Sequence, residues 1–275
     1  MTEFKVEGHE SSILPDGNWE MCFSDEFDGD ELDFSKWSFR RHLFHKAHEC
    51  WIENEGIEFE NSNIIFKLVK GEDGKFRSCQ LQTGENWYDR PGEGIWNVAK
   101  LEKPKFVHKF GYYECRCKLQ RGDNWWSAFW LQSPTIGTHY DEKRAGVEVD
   151  IYEGFFGNSY IPHHLHWGGY GPNYDHMSTV GKVSATAESA TPVDDGFHRF
   201  GVDWDEEGYT FYVDGVQSGP KLTEAVSHTD TFILIGTEVV GYRNSIPGFY
   251  KEVENLKTFD DDMFIVDYVR VFDRK

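Results

Sequence analysis

The chain has 275 residues, of which 39% are hydrophobic and 16% aromatic, and its formal net charge at pH 7 is −20. This composition is typical of a globular protein with many turns, and it excludes collagen-like and intrinsically disordered chains. Because the sequence contains no run rich in lysine and arginine, we expect neither nucleic acid nor an anionic membrane as partner. No segment approaches the roughly 18 apolar residues of a membrane-spanning helix, so no membrane span is expected.

Strand patterns occur along the whole chain, whereas helix patterns are nearly absent. The segments that read as strands are residues 63–69 before a turn cluster at 71–74, residues 110–119, residues 197–204 and 209–213 on either side of a turn, and residues 264–272. Short helical pieces are expected only near residues 35–37 and 251–254. With no internal repeat and no obvious linker, the pattern predicts one all-β domain over residues 1–275, built as two stacked antiparallel sheets.

The cysteines do not suggest a disulfide framework. Their number is five, which is odd, and their spacing is irregular: Cys22, Cys50, Cys79, Cys115 and Cys117. This usage predicts buried free thiols. Cys115 and Cys117 should lie on the same face of one strand, because they are two residues apart.

The segment AGVEVDIYEGF, residues 145–155, places three carboxylates among the apolar residues of a predicted strand. Strand side chains alternate between two faces, so Glu148 and Asp150 share a face while Glu153 should point the other way. A β-bulge inserts one extra residue and resets this alternation. We therefore predict a bulge between Asp150 and Glu153 that brings all three carboxylates onto one face.

Three carboxylates in a row suit a retaining glycosidase, which needs two carboxyl groups about 5–5.5 Å apart across the anomeric carbon of a sugar. In this arrangement Glu148 is the ionised nucleophile and repulsion keeps Glu153 protonated as the acid, while Asp150 shares a proton or hydrogen-bonds its neighbours. The spacing alone leaves two alternatives open, a solvated strand face and a calcium site, since Glu-x-Asp supplies oxygen ligands.

The carboxylate segment and several other segments resemble glycoside hydrolase family 16, in the branch with the bulged Glu-x-Asp-x-x-Glu pattern. The matching segments follow the family's order: FSDEFDG at residues 23–29 with Trp37, FGYYECR at 110–116, WSAFW at 126–130, GVEVDIYEGF at 146–155, FH at 197–198 up to Trp204, YVDG at 212–215 and VDYVRVF at 266–272. The resemblance covers about residues 19–273. It implies a jelly roll of the legume-lectin (concanavalin A-like) type, with Glu148 as nucleophile, Asp150 as assisting residue and Glu153 as general acid/base.

The resemblance also suggests residues that contact the substrate on the concave sheet. The candidates are Trp125, Trp126, Trp130, His166, Trp167, Tyr170 and Glu238. A position in the core is the alternative for the three tryptophans at 125, 126 and 130. Trp126 is the expected sugar platform, because the family places a tryptophan there and a flat indole stacks on a pyranose face. His166 is our choice for the family's histidine near the acid/base, whereas zinc binding by His163, His164 and His166 is the alternative.

Two departures from the family pattern weaken a direct transfer of specificity for laminarin. Ser127 stands where many glucan-cleaving members have proline, and Glu238 stands near the place of an asparagine and a Gly-Gly pair. Glu238 either faces the cleft or pairs with a buried cation. A second histidine group, His42, His45 and His48 beside Arg40 and Arg41, reads as a surface loop, with a contact to substrate as the alternative.

Several family members bind calcium on the convex sheet through an aspartate of the last strand, which Asp267 matches here, and backbone oxygens near Glu26 and Gly29 are the expected co-ligands. We expect no cofactor for catalysis and at most a structural calcium at these residues.

The predicted function is a retaining endo-β-glycanase acting on a β-1,3- or mixed-linkage glucan. One alternative is a galactan of the agar or porphyran kind, for which Arg40, Arg41, Arg90 and Arg243 could supply local positive charge, or a host galactose-containing glycan. Further alternatives are transglycosylation and non-catalytic carbohydrate binding on the same fold. We expect a polysaccharide or oligosaccharide partner and a monomer. The resemblance implies a secreted or cell-envelope protein, although the chain as printed shows no signal peptide.

Overall fold

The computed structural model describes residues 1–40, 52–84, 103–122, 125–154, 160–182, 196–239 and 259–275. Nineteen strands, numbered in chain order, lie within these ranges. Two short hairpins stand apart from the main sheets: β1 (Thr2–Phe4) pairs with β2 (Ser12–Leu14), and β7 (Val69–Lys70) pairs with β8 (Phe76–Arg77).

Two larger antiparallel sheets form the body of the protein. The eight-stranded sheet contains β3 (Trp19–Asp25), β5 (Ile57–Phe59), β6 (Ile64–Phe66), β10 (Gly111–Lys118), β15 (His198–Asp205), β16 (Gly208–Val213), β17 (Val216–Gln217) and β19 (Phe264–Arg274). The seven-stranded sheet contains β4 (Ser38–Phe39), β9 (Gln80–Gln82), β11 (Trp125–Gln132), β12 (Glu148–Glu153), β13 (Tyr160–Trp167), β14 (Asp175–Lys182) and β18 (Phe232–Val239).

The strand order in both sheets departs from the sequence order, as in a jelly roll. The eight-stranded sheet runs β17-β16-β15-β10-β19-β6-β5, with β3 also paired to β19, and the seven-stranded sheet runs β14-β13-β12-β11-β18-β9-β4. Helical structure in the described ranges is limited to α1 (Glu142–Ala145) and the 3₁₀ turns Asn54–Gly56 and Gly168–Tyr170. The predicted all-β sandwich of two antiparallel sheets is confirmed.

The main core lies between the two sheets and takes alternate side chains from each strand. On β11, for example, Phe129 and Leu131 are fully buried in the core that also holds Phe200 and Val202 of β15. Burying so many aromatic and β-branched side chains on one face of each sheet is the main force that holds the sheets together. The other face of the seven-stranded sheet is left to carry the polar groups.

Residues near the N-terminus cover the outward face of the eight-stranded sheet. Leu14 and Trp19 pack there with Tyr112 and Phe272 in a separate buried cluster. None of the helices in the described ranges is long and apolar enough to cross a lipid bilayer.

Most predicted elements lie where the sequence placed them. The segments at 110–119, 197–204, 209–213 and 264–272 are strands. The expected helical piece at 35–37 is instead a turn, in which the amides of Lys36 and Trp37 donate to Asp33 O, and residues 251–254 lie outside the described ranges.

Four of the five cysteines lie in the described residues, and all four are free thiols as predicted, although one of them is not buried. Cys79, Cys115 and Cys117 are free and buried, the last two on the core face of β10 as expected. Cys22 is free but exposed, and Cys50 lies outside the described residues.

Candidate active site

The predicted bulge is present on β12. Phe129 of β11 pairs with Tyr152, but the next residue, Trp130, pairs with Asp150, so Ile151 has no partner in the register. Ile151 and Tyr152 both belong to the core cluster. With two successive side chains directed inward, Glu153 returns to the outward face that carries Glu148 and Asp150.

Glu148, at the start of β12, is held by two donors from other elements. The Tyr170 hydroxyl donates to Glu148 Oε2, and Gln132 Nε2 lies 3.3 Å from the same oxygen. Gln132 Nε2 also donates to the Tyr170 hydroxyl at 3.0 Å. Hydrogen bonds of this kind fix the orientation of the carboxylate, as a nucleophile requires.

Asp150 lies between the two glutamates and is only 2% exposed. Burial, and then the charges of Glu153 and Glu148, raise the pKa of Asp150 well above its usual value. The three carboxylates are therefore close enough to affect one another's protonation.

His166 is the basic partner of Asp150, with Nε2 3.3 Å from Asp150 Oδ2. Burial opposes protonation of this imidazole, but the contact with Asp150 and the charges of the three carboxylates outweigh it and raise the pKa of His166 to about 9. The Asp150–His166 pair therefore keeps a proton at the centre of the site at neutral pH.

Glu153 is positioned from β11. The indole Nε1 of Trp126 donates to Glu153 Oε1 at 3.0 Å, and Ala128, the residue directly opposite Glu153 on β11, has a small side chain. His164 Nε2 is 3.9 Å from Glu153 Oε2. Burial and the nearby His166 and His176 lower the pKa of His164 to about 4, so His164 is neutral near the glutamate.

His164 therefore lies beside the predicted acid/base and is a second candidate for the family's histidine, while the choice of His166 for that place stays a prediction. His166 contacts the assisting aspartate. The zinc alternative for the three histidines has no support in the geometry, because His163 points into the core whereas His164 and His166 point outward.

The structure separates the predicted aromatic contacts into two groups. Three of them, Trp126, Trp130 and Tyr170, lie on the outward face or at its edge. The guanidinium carbon of Arg40 lies over the ring of Trp130, 4.5 Å from its centroid. Trp125 is 2% exposed in the core, and Trp167 packs against the same core from β13. Their inward phase does not fit the predicted substrate contacts.

Glu238 lies on the outward face opposite Trp126 and is 5% exposed. It accepts a hydrogen bond of 3.2 Å from Gln80 Nε2 on β9, so it faces the site side of the sheet and interacts with an amide.

A stack of parallel rings extends the site toward β14. Tyr174 is 44% exposed, and its hydroxyl is 2.7 Å from His166 Nδ1. Its ring is nearly parallel to those of His166 and His176, at centroid distances of 5.9 Å in both cases, and the Tyr170 ring is inclined to it by 25° at 6.4 Å. His176 and the donor Gln132 are site residues that the sequence did not predict, and His164 was named only as a possible zinc ligand. Gln132 is in phase with Trp126 and Trp130 on β11, and this phase is a signal by which it could have been found.

The positions proposed for calcium have other partners. Asp267 Oδ2 accepts from Arg116 at 2.5 Å, and Glu26 accepts from Arg270 Nε at 2.9 Å, while Gly29 is exposed. The arginines supply the positive charge for which calcium was invoked, and a metal at these residues stays a prediction.

Two groups in the described ranges bring three possible metal ligands within 4.8 Å of one another: Glu148, Asp150 and His166 at the site, and Cys22, His108 and Asp273 beside the eight-stranded sheet. In the second group, His108 Nε2 and Asp273 Oδ1 are 2.8 Å apart, which is hydrogen-bond distance. The predicted loop contacts at His42, His45, His48, Arg41, Arg90 and Arg243 lie outside the described residues.

Comparison with known proteins agrees with this geometry. The sequence model of the beta-porphyranase A–D GH16 domain matches residues 19–274. A beta-1,3-glucan-binding protein from Penaeus monodon is 34% identical over 71% of this chain, and the match covers 61% of the length of that protein. A glucan endo-1,3-beta-glucosidase from Cryptopygus antarcticus is 27% identical over 91% of this chain and 79% of its own length.

Among solved structures, the catalytic domain of an endo-1,3-beta-glucanase (laminarinase) from Thermotoga petrophila RKU-1 superposes with a TM-score of 0.65 and 22% identity. The match covers 94% of this chain and 99% of that one, which shows a shared fold. The family model spans nearly the whole sandwich, including the bulged strand with its three carboxylates, and the chain therefore belongs to glycoside hydrolase family 16.

Proposed function

We propose that this protein is a retaining endo-β-glycanase that hydrolyses a β-1,3- or mixed-linkage glucan. The observation that carries the proposal is the bulge at Ile151, which puts Glu148, Asp150 and Glu153 on one outward face. A strand face that was merely solvated would not need an inserted residue or a buried aspartate that both neighbours repel.

In the proposed mechanism, Glu148 attacks the anomeric carbon while Glu153 gives its proton to the oxygen of the departing sugar. The resulting covalent bond joins the sugar to Glu148. Glu153, now ionised, then takes a proton from water, whose oxygen attacks the anomeric carbon and releases Glu148. Tyr170 and Gln132 orient the nucleophile, and Trp126 orients the acid.

The pair of Asp150 and His166 supports both steps without touching the leaving group. Because it retains a proton between the glutamates, it reduces the negative charge that Glu148 and Glu153 would otherwise face. During the first step Glu148 loses its negative charge and Glu153 gains one. The new charge on Glu153 therefore develops beside the Asp150–His166 pair, in which the proton offsets the charge of the aspartate.

The test of this proposal is product analysis on defined polymers. Purified protein would be incubated with laminarin, mixed-linkage β-glucan, agarose and porphyran, and new reducing ends would be counted. We expect release of oligosaccharides from laminarin or mixed-linkage glucan, with the first product in the β-configuration by proton NMR. An α-configured first product would refute the retaining mechanism, and cleavage of the galactans alone would refute the glucan.

The galactan alternative is favoured by the matching family description and by the two departures at Ser127 and Glu238. Glu238 and its amide partner Gln80 place polar groups on the same face as Trp126. These groups would read the hydroxyl pattern of the sugar, so they are where a preference for galactose over glucose would arise.

Binding without catalysis is the other alternative, and the similarity to a protein named for β-1,3-glucan binding favours it. A binding protein has no need of a nucleophile held by two donors beside a second glutamate held by an indole.

Because a polymeric glycan does not cross a membrane, we also propose that the protein acts outside the cytoplasm. The single domain and the monomeric state remain predictions.

A further inference from the structure

The extra residue of the bulge has a hydrogen-bond partner that the mechanism does not use. A bulge interrupts the ladder of backbone hydrogen bonds and leaves a backbone group without its regular partner. On the β13 side, the register between β12 and β13 ends at the pair Asp150–His164. Beyond that pair, the carbonyl oxygen of Ile151 accepts from a side chain, since His163 Nδ1 lies 2.5 Å away.

His163 is fixed from the other side as well. It is fully buried, and its Nε2 is 2.8 Å from the hydroxyl of Ser218. Its ring lies parallel to Phe211 of β16, with centroids 4.5 Å apart and planes 10° from parallel. The amide of Ser218 in turn donates to Phe211 O at 2.7 Å. His163 therefore ties the bulge of one sheet to the edge region of the other.

These contacts determine which nitrogen carries the proton. Burial lowers the pKa of His163 to about 4, so the ring is neutral at neutral pH and has one N–H. A carbonyl can only accept, so the proton is on Nδ1, and Nε2 accepts from the Ser218 hydroxyl. Both ring nitrogens are satisfied only in this tautomer.

We propose that His163 is a positioning residue of the active site, because it holds the Ile151 carbonyl and thereby fixes the bulge that presents Glu153 beside Glu148 and Asp150. His163 itself lies on the core face and does not touch the substrate. The inference rests on the proposed roles of the carboxylates, and its test must separate it from an ordinary core contact.

Two substitutions divide the packing of His163 from its hydrogen bond. His163→Phe keeps an aromatic ring against Phe211 but cannot donate to Ile151 O. His163→Asn loses the stacked ring, but its amide nitrogen stands near the place of Nδ1 and can donate. If His163 only fills the core, His163→Asn should disturb the placement of Glu153 and the activity more than His163→Phe does. If His163 positions Glu153, His163→Phe should disturb both more than His163→Asn does.

The first readout does not depend on activity. Trp126 Nε1 donates to Glu153 Oε1, so the indole N–H resonance of Trp126, assigned with Trp126→Phe, reports whether Glu153 is in place. In His163→Phe we expect this resonance to move toward its position in Glu153→Ala, while in His163→Asn it stays near the wild-type position. An unshifted resonance in folded His163→Phe would overturn the proposal, even if no glycan turned out to be a substrate.

The second readout uses leaving groups. A displaced acid lowers kcat/KM for laminarin, whose sugar leaving group needs protonation, more than for 2,4-dinitrophenyl β-laminaribioside, which needs little. We expect a loss of roughly 10- to 100-fold on laminarin in His163→Phe, because misplacement of about 1 Å costs that much, and a loss of less than about threefold on the aryl glycoside. Equal losses on both substrates would overturn the proposal.

Failure of the proposed function would look different, since wild-type protein would then cleave neither probe while the indole resonance still tests the role of His163. Thermal unfolding and near-ultraviolet circular dichroism show whether each variant is folded. If His163→Phe does not fold, Ser218→Ala takes its place. This substitution removes the hydroxyl that donates to His163 Nε2, so the proton is no longer confined to Nδ1. We expect the Trp126 resonance and the ratio of the two activities to change as in His163→Phe, but by less. If both were unchanged, the proposal would be contradicted.

Discussion

Glu114 and Asp150 are buried carboxylates on the outward faces of the two sheets, and their surroundings differ in kind. Glu114 of the eight-stranded sheet is fully buried beneath the N-terminal residues, and the hydroxyls of Tyr268 and Tyr112 donate to its two oxygens at 2.8 and 3.3 Å. The amide of Ile13 adds a third donor at 3.4 Å. Burial raises the pKa of Glu114, while Ser12, Tyr268 and Arg199 oppose this effect.

Asp150 of the seven-stranded sheet has the opposite kind of neighbours. Two further carboxylates raise its pKa, and one histidine, His166, is the basic group that faces it. A carboxylate held by hydroxyls and an amide stabilises the fold around it, whereas one placed between like charges costs stability. The difference separates a structural carboxylate from a functional one without reference to any relative.

The largest effect that tests this comparison is expected from Glu148→Gln. The amide keeps the shape of the side chain but is not a nucleophile, so we expect hydrolysis to fall by roughly 10³-fold or more while stability stays within about 1 kcal/mol. Activity would be measured by reducing-sugar release and stability by chemical unfolding. Glu206→Gln, an exposed turn glutamate, is the matched control, and retained activity in Glu148→Gln would remove the nucleophile assignment.

The converse is expected at Glu114→Ala. Removing this carboxylate takes away the acceptor of the Tyr112 hydroxyl and the nearer of the two acceptors of the Tyr268 hydroxyl, which keeps Ser11 O at 3.3 Å. We expect a loss of about 3 kcal/mol in the free energy of unfolding. The rate of hydrolysis per folded molecule should stay within about twofold of wild type, because the site lies on the other sheet. A selective loss of activity at unchanged stability would contradict the structural role.

At the functional carboxylate, Asp150→Asn should change the charge state of a neighbour. Asp150 is the main cause that raises the pKa of His166 to about 9, so we expect the asparagine variant to bring this pKa down toward or below the ordinary value of 6.5. Titration of the His166 ring signals by NMR measures it directly. We also expect hydrolysis to fall by roughly 10- to 100-fold; an unchanged His166 titration would mean that the pair does not share a proton.

The sequence predicted the three carboxylates and the bulge because parity is a strong constraint: residues 148, 150 and 153 cannot face one way on a regular strand. It could not assign faces on β11, where Trp125 to Leu131 are apolar or small on both sides and alternation carries no contrast. For that reason Trp125 was wrongly expected at the site, and Gln132 was overlooked.

Partners across strands were harder still to predict. His164 and His166 share a face, but which carboxylate each contacts depends on the register of β12 against β13. That register places His166 opposite Glu148 and His164 opposite Asp150, and each imidazole reaches diagonally to the next carboxylate, Asp150 and Glu153 respectively. A register is set by the connection and the neighbouring strands, not by either strand alone. The same holds for the pairing of Asp267 with Arg116, which joins β19 to β10 and is invisible in the local pattern.

The smallest expected effect is the pH dependence of stability that the site confers. The pKa of His166 is raised to about 9 by the fold, against 6.5 in the unfolded chain, so its protonated form favours the folded state. That contribution is complete below about pH 6.5 and is lost as the pH rises through about 9, because the folded state then no longer binds an extra proton. We expect the free energy of unfolding of wild type to fall by about 1–2 kcal/mol more than that of His166→Gln between pH 6.5 and 9.5. Chemical unfolding across this range measures the difference. No base that faces Glu114 titrates in this window, so the free energy of unfolding of Glu114→Gln should depend on pH as that of wild type does. If wild type, His166→Gln and Glu114→Gln all showed the same pH dependence, it would arise elsewhere in the protein.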